Sequence, residues 1–353
     1  MTNNFRIFRK CALIALLVLT PLISDLAQPA LLDAAQHNSS SSHPASSADL
    51  ERSIRAEMDF LASDALRGRG SATPDERSAA EYAAKQFAAM GLSPGGENGG
   101  YLQTLALPNP LPKMAQYVLQ NLDHSPRTAT TNVIAILRGS DLKLRNQVVL
   151  LTAHIDHLGM AAVRSGDFIY NGANDDASGC IAVLELARAL TSGKPPRRTV
   201  VFALFGSEEL GGFGNAGFLA HPPVPLGSIV ANIEFEMIGW PDAAVPAGDL
   251  WLTGYNRSTL GAELAEHGAA LVADPHTDEN FFQRSDNYAL AKSGIIAHTI
   301  SSFGLQPMYH HPNDDIAHID FALMTHAILS MEGPVSWLAN TEWSPTWNPN
   351  DRP

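Results

Sequence analysis

Cysteine is nearly absent, with two in 353 residues, Cys11 and Cys180. Cys11 sits in an N-terminal apolar run expected to be removed, which leaves Cys180 alone. No intrachain disulfide can then staple the fold, and it must rest on its core. Positive charge is also scarce: 23 Lys and Arg stand against 36 Asp and Glu, for a formal charge of −13. Losing Arg6, Arg9 and Lys10 with only Asp25 makes the balance more negative. Nucleic acid and anionic membrane surfaces are therefore poor partners. No internal repeat is present. What remains, 45% hydrophobic and 17% charged residues, is the profile of a soluble globular chain with a sizeable core.

Arg6, Arg9 and Lys10 precede CALIALLVLTPLIS, a run of about signal-peptide length and short for a bilayer span. Residues 1–27 are read as a signal peptide, with an uncleaved membrane anchor as the alternative because no clean small-x-small cleavage site stands between Ser24 and Ala35, so the mature protein is expected to be secreted or periplasmic, with no stable membrane partner after cleavage. Residue 11 lacks a lipobox, which argues against a lipoprotein. Residues 28–49, which include HNSSSSHPASSAD, read as a disordered linker. A single domain is expected over 50–345 and a flexible tail over 346–353.

Apolar residues recur at helical spacing in Ile54, Met58 and Leu61, then in Ala80, Ala83, Ala84 and Phe87. The loop LRGRGSATPDE separates the two. From TNVIAIL onward, short β-branched runs (NQVVLLTAHID, RTVVFALFG, GSIVANIEFEMIG, DLWLTG, GIIAHTISS) alternate with helical stretches such as ASGCIAVLELARALTSG and STLGAELAEHGAALV. That alternation predicts an α/β fold: a mostly parallel mixed central sheet flanked by helices on both faces, in three layers. Functional residues in such sheets gather at the carboxyl ends of the strands.

Acidic and imidazole side chains collect at those ends. NQVVLLTAHID closes on His154 and Asp156, and residues two apart on a strand share a face, so the carboxylate can hydrogen-bond the far nitrogen of the histidine. YNGANDDASG carries Asp175 and Asp176 ahead of an apolar helix; an N-cap needs only one residue of this loop, Asp176 or Ser178. RTVVFALFGSEELGG ends in Glu208 and Glu209. IEFEMIGW places Glu234 and Glu236 on one face of a buried strand, where carboxylates are costly unless something positive is near. MYHHPNDD holds His310 and His311. Imidazole and carboxylate without thiolate is the donor set of a hard-to-borderline metal site.

From FLASDALRGRGSATPDERSAAEYAAKQFAAMGL through HHPNDDIAHID the chain resembles the co-catalytic zinc aminopeptidase family, the one that holds aminopeptidase Y and the bacterial leucyl aminopeptidases. The resemblance implies two zinc ions. His154 and Glu236 would serve one, Glu209 and His310 the other, and Asp175 would bridge them. It also implies that Glu208 is the general base and that Tyr309 holds the oxyanion, with Asp156 orienting His154 as its strand spacing allows, while Arg284 of RSDNY is either a substrate contact or an ordinary surface ion pair. Two positions depart from the family pattern: Glu236 stands where aspartate is common, and His311 where a small hydroxyl residue is common. The tyrosine before it selects His310 as the ligand.

The expected activity is removal of N-terminal residues from peptides. Two alternatives keep the same fold: a one-zinc glutaminyl-peptide cyclase, and a binding module that has lost its metals.

Overall fold

The computed structural model describes residues 46–353, so the expected signal peptide and most of the expected linker lie outside the described residues. Helix α1 (Ser47–Leu61) is opened by a capping box, in which Ser46 accepts the Asp49 N–H and Asp49 returns the bond to the Ser46 N–H. Residues 46–49, assigned to the linker from their polar composition, therefore belong to the fold. Helix α2 (Pro74–Ala89) is capped by Thr73 with proline at its first position.

The strands follow as β1 (Ser93–Pro94), β2 (Leu102–Ala106), β3 (Ala129–Leu137), β4 (Val148–His154), β5 (Gly159–Met160) and β6 (Ile169–Tyr170). After them come β7 (Thr199–Phe205), β8 (Ile229–Phe235), β9 (Leu250–Leu252), β10 (Leu271–Ala273) and β11 (Ala297–Ser301). The remaining helices are α3 (Lys113–Val118), α4 (Gly179–Ser192), α5 (Phe213–Ala220), α6 (Leu260–Glu266), α7 (Asn287–Lys292) and α8 (Phe321–Asn340). The main sheet runs β1-β3-β7-β4-β8-β11-β9-β10, with β2 also paired to β3. Its centre is parallel: β7, β4, β8 and β11 all point one way. β3 runs against β7, and β9 against β11. The expected mixed sheet is thus present, with its antiparallel pairs at the flanks.

Alternation along the strands builds two apolar layers. Val149, Leu151 and Ala153 of β4 pack with Val200, Phe202 and Leu204 of β7 under α1, α2, α4 and α8. Val148, Leu150, Val201, Ala203 and Phe205 face the other way, toward Phe218 of α5 and Leu290 of α7. Strands buried on both faces read as unbroken apolar runs, as these do. Truncating one of these side chains, such as the fully buried Phe202, to alanine costs about 3–5 kcal/mol.

Two expectations change. The helical stretch read over 258–272 stops at Glu266, because Gly268 turns at φ 103°, and Leu271–Ala273 continues as β10. The C-terminal residues are not a loose tail either. Trp347 bridges Ser258 and packs on the core, the Asn348 N–H donates to the Arg257 carbonyl at 2.7 Å, and the Arg257 guanidinium donates to the Asp351 carbonyl at 3.0 Å. Among the described residues no helix is long and apolar enough to cross a membrane.

Candidate metal centre

Because β4, β7 and β8 are parallel neighbours, their carboxyl ends share one edge of the sheet. His154 is the last residue of β4, Glu208 and Glu209 lie in the turn just beyond β7, and Glu236 directly follows β8.

His154 is 1% exposed. Its Nδ1 lies 3.1 Å from the main-chain carbonyl of Asp156. A carbonyl only accepts, so Nδ1 carries a proton, and Nε2 is the nitrogen turned to the sheet edge. Nε2 is buried without a hydrogen-bond partner and lies 3.1 Å from Asp175 Oδ1. The Asp156 carboxylate keeps an ion-pair contact with His154 that is longer than a hydrogen bond. It stands 3.7 Å from the imidazole and instead accepts from the Ser71 hydroxyl at 2.6 Å and the Glu208 N–H at 3.0 Å. Main chain orients the histidine, and the side chain braces the next turn.

Asp176 takes the capping role. It accepts from the N–H groups of Gly179 at 2.9 Å, Met237 at 3.1 Å and His154 at 3.2 Å, tying α4 to the ends of β4 and β8. Asp175 is left facing the edge. Its Oδ1 meets His154, while Oδ2 lies 3.2 Å from His310 Nε2 and 3.8 Å from His157 Nδ1. Burial pushes its carboxyl up, but His157 and the contacts from His154 and His310 prevail and hold it well below the usual carboxylate range. The loop is clamped by Asp314, whose two oxygens accept the Asn174 and Asp175 N–H groups at 2.8 and 3.0 Å.

Two clusters share this aspartate. His154, Asp175 and Glu236 bring ligand atoms within 4.8 Å of one another, and so do His157, Asp175 and Glu209. Glu209 Oε1 is 2.7 Å from His157 Nδ1 and its Oε2 is 3.1 Å from His310 Nε2. Burial and Asp175 push the Glu209 carboxyl up, yet His310 and the hydrogen bond to His157 outweigh them and leave it at about 2. The ion-pair contacts of Asp175 and Glu209 at the edge are with histidine, and among the described residues no lysine or arginine pairs with Asp175, Glu209 or Glu236. An orphaned imidazole nitrogen among converging carboxylates with no fixed counter-charge fits bound cations.

Glu208 differs from its neighbour. Burial, followed by repulsion from Asp286, Glu209 and Glu236 and opposed by His154, pushes its carboxyl well above the ordinary value. Glu234 is buried but turned away: it accepts the Asn287 N–H at 2.6 Å and the Thr299 hydroxyl at 3.0 Å, holding the start of α7. Tyr309 stacks on His310 with ring centres 3.8 Å apart, whereas His311 is exposed. A small cleft opens beside Glu236, walled by Trp251, Phe281, Phe303 and Tyr309 together with Thr253, Ser285 and Thr299. Arg284 stands on its wall, 4.8 Å over the Phe281 ring and 3.6 Å from Glu279.

Sequence reasoning missed His157, Asp314, Glu76 and Arg69. His157 and Asp314 stand beside chosen residues in AHIDH and YHHPNDD, but no periodicity assigns either to the edge. Glu76 accepts from the N–H groups of Ala72, Thr131 and Ser207, and so anchors the turn that carries Glu208. Arg69, wholly buried, donates to the carbonyls of Leu61, Ile155, Asn171 and Gly172.

The sequence profile of peptidase family M28 matches residues 132–331, more than half of the chain. The chain belongs to that family. Among curated relatives, aminopeptidase YwaD of Bacillus subtilis (strain 168) is 27% identical over 197 residues, covering 53% of this chain and 40% of that protein. A probable leucine aminopeptidase 2 of Aspergillus oryzae is 31% identical over 172 residues, covering 47% and 32%. The match thus spans less than half the length of these relatives. The solved structure of BSAP, a zinc aminopeptidase from Bacillus subtilis, superposes with a TM-score of 0.61 at 17% identity, covering 83% of this chain and 95% of that one. This M28 chain therefore shares the fold of that enzyme, and its ligand-type side chains lie within or directly beside the matched segment's strand ends.

Proposed function

We propose that this M28 chain is an aminopeptidase that works with two zinc ions. The observation that carries the reading is Asp175, whose two oxygens face different histidines, 3.1 Å from His154 and 3.2 Å from His310. One carboxylate shared between two imidazole-carboxylate clusters suits a pair of ions. His154 and Glu236 would hold one ion, Glu209 and His310 the other, with Asp175 between them. When bound, such ions polarise the scissile carbonyl, lower the pKa of water and receive a free amine.

The other work falls to the chain. Glu208 would take the proton of the attacking water and return it to the leaving amine, which balances the hydrolysis. Desolvation and the neighbouring carboxylates raise its affinity for a proton above that of an ordinary carboxylate, which suits a base that must take a proton from water. Burial and the surrounding carboxylates raise the Tyr309 hydroxyl far above its ordinary value, so it stays a donor for the oxygen that gains charge. The cleft beside Glu236 is proposed to seat the N-terminal side chain against its wall of Trp251, Phe281 and Phe303, and Arg284 on its wall is proposed to touch the peptide. The basic, apolar N-terminal segment supports a site of action outside the cytoplasm.

The test is a substrate panel with zinc-loaded protein: aminoacyl amides with apolar and charged side chains, N-blocked counterparts, and a glutaminyl peptide. Hydrolysis confined to free amines, fastest for apolar residues, is expected. Cleavage of N-blocked substrates, or pyroglutamate formed without hydrolysis, would overturn the reading.

A further inference from the structure

His157 belongs to neither the expected ligands nor the expected catalytic residues, yet it is fully buried against one of them. It follows β4 in a fixed stretch of chain: its N–H donates to the Arg69 carbonyl at 3.1 Å, and its carbonyl accepts the Ser71 N–H at 3.0 Å. The ring lies on Gly172, a residue at φ 60° where a Cβ would come within 2.6 Å of the imidazole carbons. Backbone and ring are therefore both held before any ligand arrives.

The ring offers two nitrogens to its surroundings. Nδ1 is 2.7 Å from Glu209 Oε1, and Nε2 is buried with no hydrogen-bond partner. Those facts select a tautomer. If Nδ1 were the bare, ligating nitrogen, the proton would sit on Nε2 as an orphaned buried donor, a rare and costly state. With the proton on Nδ1, His157 donates to Glu209 Oε1, and only a lone pair goes unmet. Oε2 of the same carboxylate then faces His310 and lies on the Asp175 side of the site.

We infer that His157 is a positioning residue that fixes the Glu209 carboxylate by donating to Oε1, so that Oε2 is presented toward a cation shared with His310 and Asp175. A ligating carboxylate left free on one oxygen can rotate or chelate through both; a donor on Oε1 removes that freedom. The inference rests on the metallopeptidase reading and adds a residue to one half of its site.

The experiment is titration of apoprotein with Zn²⁺ against a competing chelator, and with Co²⁺ followed by absorption. It compares wild type with His157→Leu, which fills the space without a donor, and His157→Asn, whose amide can replace the Nδ1–H. Thermal unfolding of each apoprotein reports on folding. The expected result is that His157→Leu weakens one equivalent about 10–100-fold and leaves the other unchanged, while His157→Asn restores affinity with a wild-type Co²⁺ spectrum. Wild-type affinities in His157→Leu would overturn the inference. So would loss of the same equivalent in folded His157→Asn with an altered Co²⁺ spectrum, since that marks His157 as a direct ligand. Should His157→Leu fail to fold, His157→Asn alone decides by its affinity and spectrum. A wild-type chain that binds neither ion removes the metallopeptidase reading and this inference with it, an outcome distinct from normal wild-type uptake with unaffected variants.

Discussion

Asp156 accepts the main-chain N–H of Glu208 at 3.0 Å, so a residue at the end of one strand sets the position of the proposed base at the end of the next. The same residue reaches His154 through its main-chain carbonyl at 3.1 Å. Side chain and main chain thus serve different neighbours, and a substitution separates them.

Asp156→Asn removes charge from the brace but leaves the carbonyl that orients His154. Ion content should stay near that of the wild type, while turnover falls about 10–100-fold, the usual effect of disturbing a residue behind the reacting groups. Ion content by elemental analysis beside kcat checks this. A variant that loses its ions would show that the carboxylate holds His154 after all.

Asp175→Ala should cost more bound metal than His154→Ala. The aspartate faces both histidines, so its loss strips a donor from each cluster, whereas His154 serves one. Elemental analysis of both variants after gentle dialysis is the measurement. Equal ion content would place the shared ligand elsewhere.

Much of this edge was legible because period-two alternation and strand order need only local sequence. VVLLTAH and TVVFALF announce strands buried on both faces, and the charged residues after them had to fall at one edge once the strands were parallel. His157 was not legible by that logic. It sits beyond the strand, where alternation no longer assigns a face, and its partner Glu209 lies 52 residues away. Glu76 meets Ser207 across 131 residues, a pairing that no spacing rule contains. Asp156 was half legible: its proximity to His154 followed from the strand, but which of its oxygens did the work depended on the turn of β7 arriving beside it. The polar ending 346–353 misled because composition cannot show that Trp347 finds Ser258 and Phe282.

Away from the edge, Glu57 of α1 is 4% exposed and pairs with Arg188 at 3.0 Å. Burial, then repulsion by Glu185, raises its carboxyl to about 7 against the partial offset of Arg188. A carboxyl whose folded pKa lies above its unfolded value near 4.5 holds its proton longer when folded. Its stabilising contribution is complete below about pH 4.5 and is lost as pH rises toward 7. Glu57→Gln should remove that loss, gaining about 1–3 kcal/mol on wild type between pH 4.5 and 8. Denaturant unfolding of both proteins at pH 5 and pH 8 checks it, and parallel pH dependences would count against it.

Glu208 and Glu209 are adjacent and acidic, yet their surroundings push them in opposite directions. His157 and His310 hold Glu209 at about 2, whereas burial among carboxylates raises Glu208. A ligand must stay ionised; a base must accept a proton and keep it briefly. Glu208→Gln preserves size and hydrogen bonding but removes the basic oxygen, so ion content and KM should hold while kcat falls by about 10² to 10⁴. Glu209→Gln weakens a ligand and its contacts with two imidazoles. Its activity should fall together with bound metal and recover in part when zinc is added in excess. The decisive measurement is ion content beside turnover for both variants. Loss of metal in Glu208→Gln with full retention in Glu209→Gln would invert the two assignments, because adjacency in the sequence leaves each carboxylate only one of the two environments to occupy.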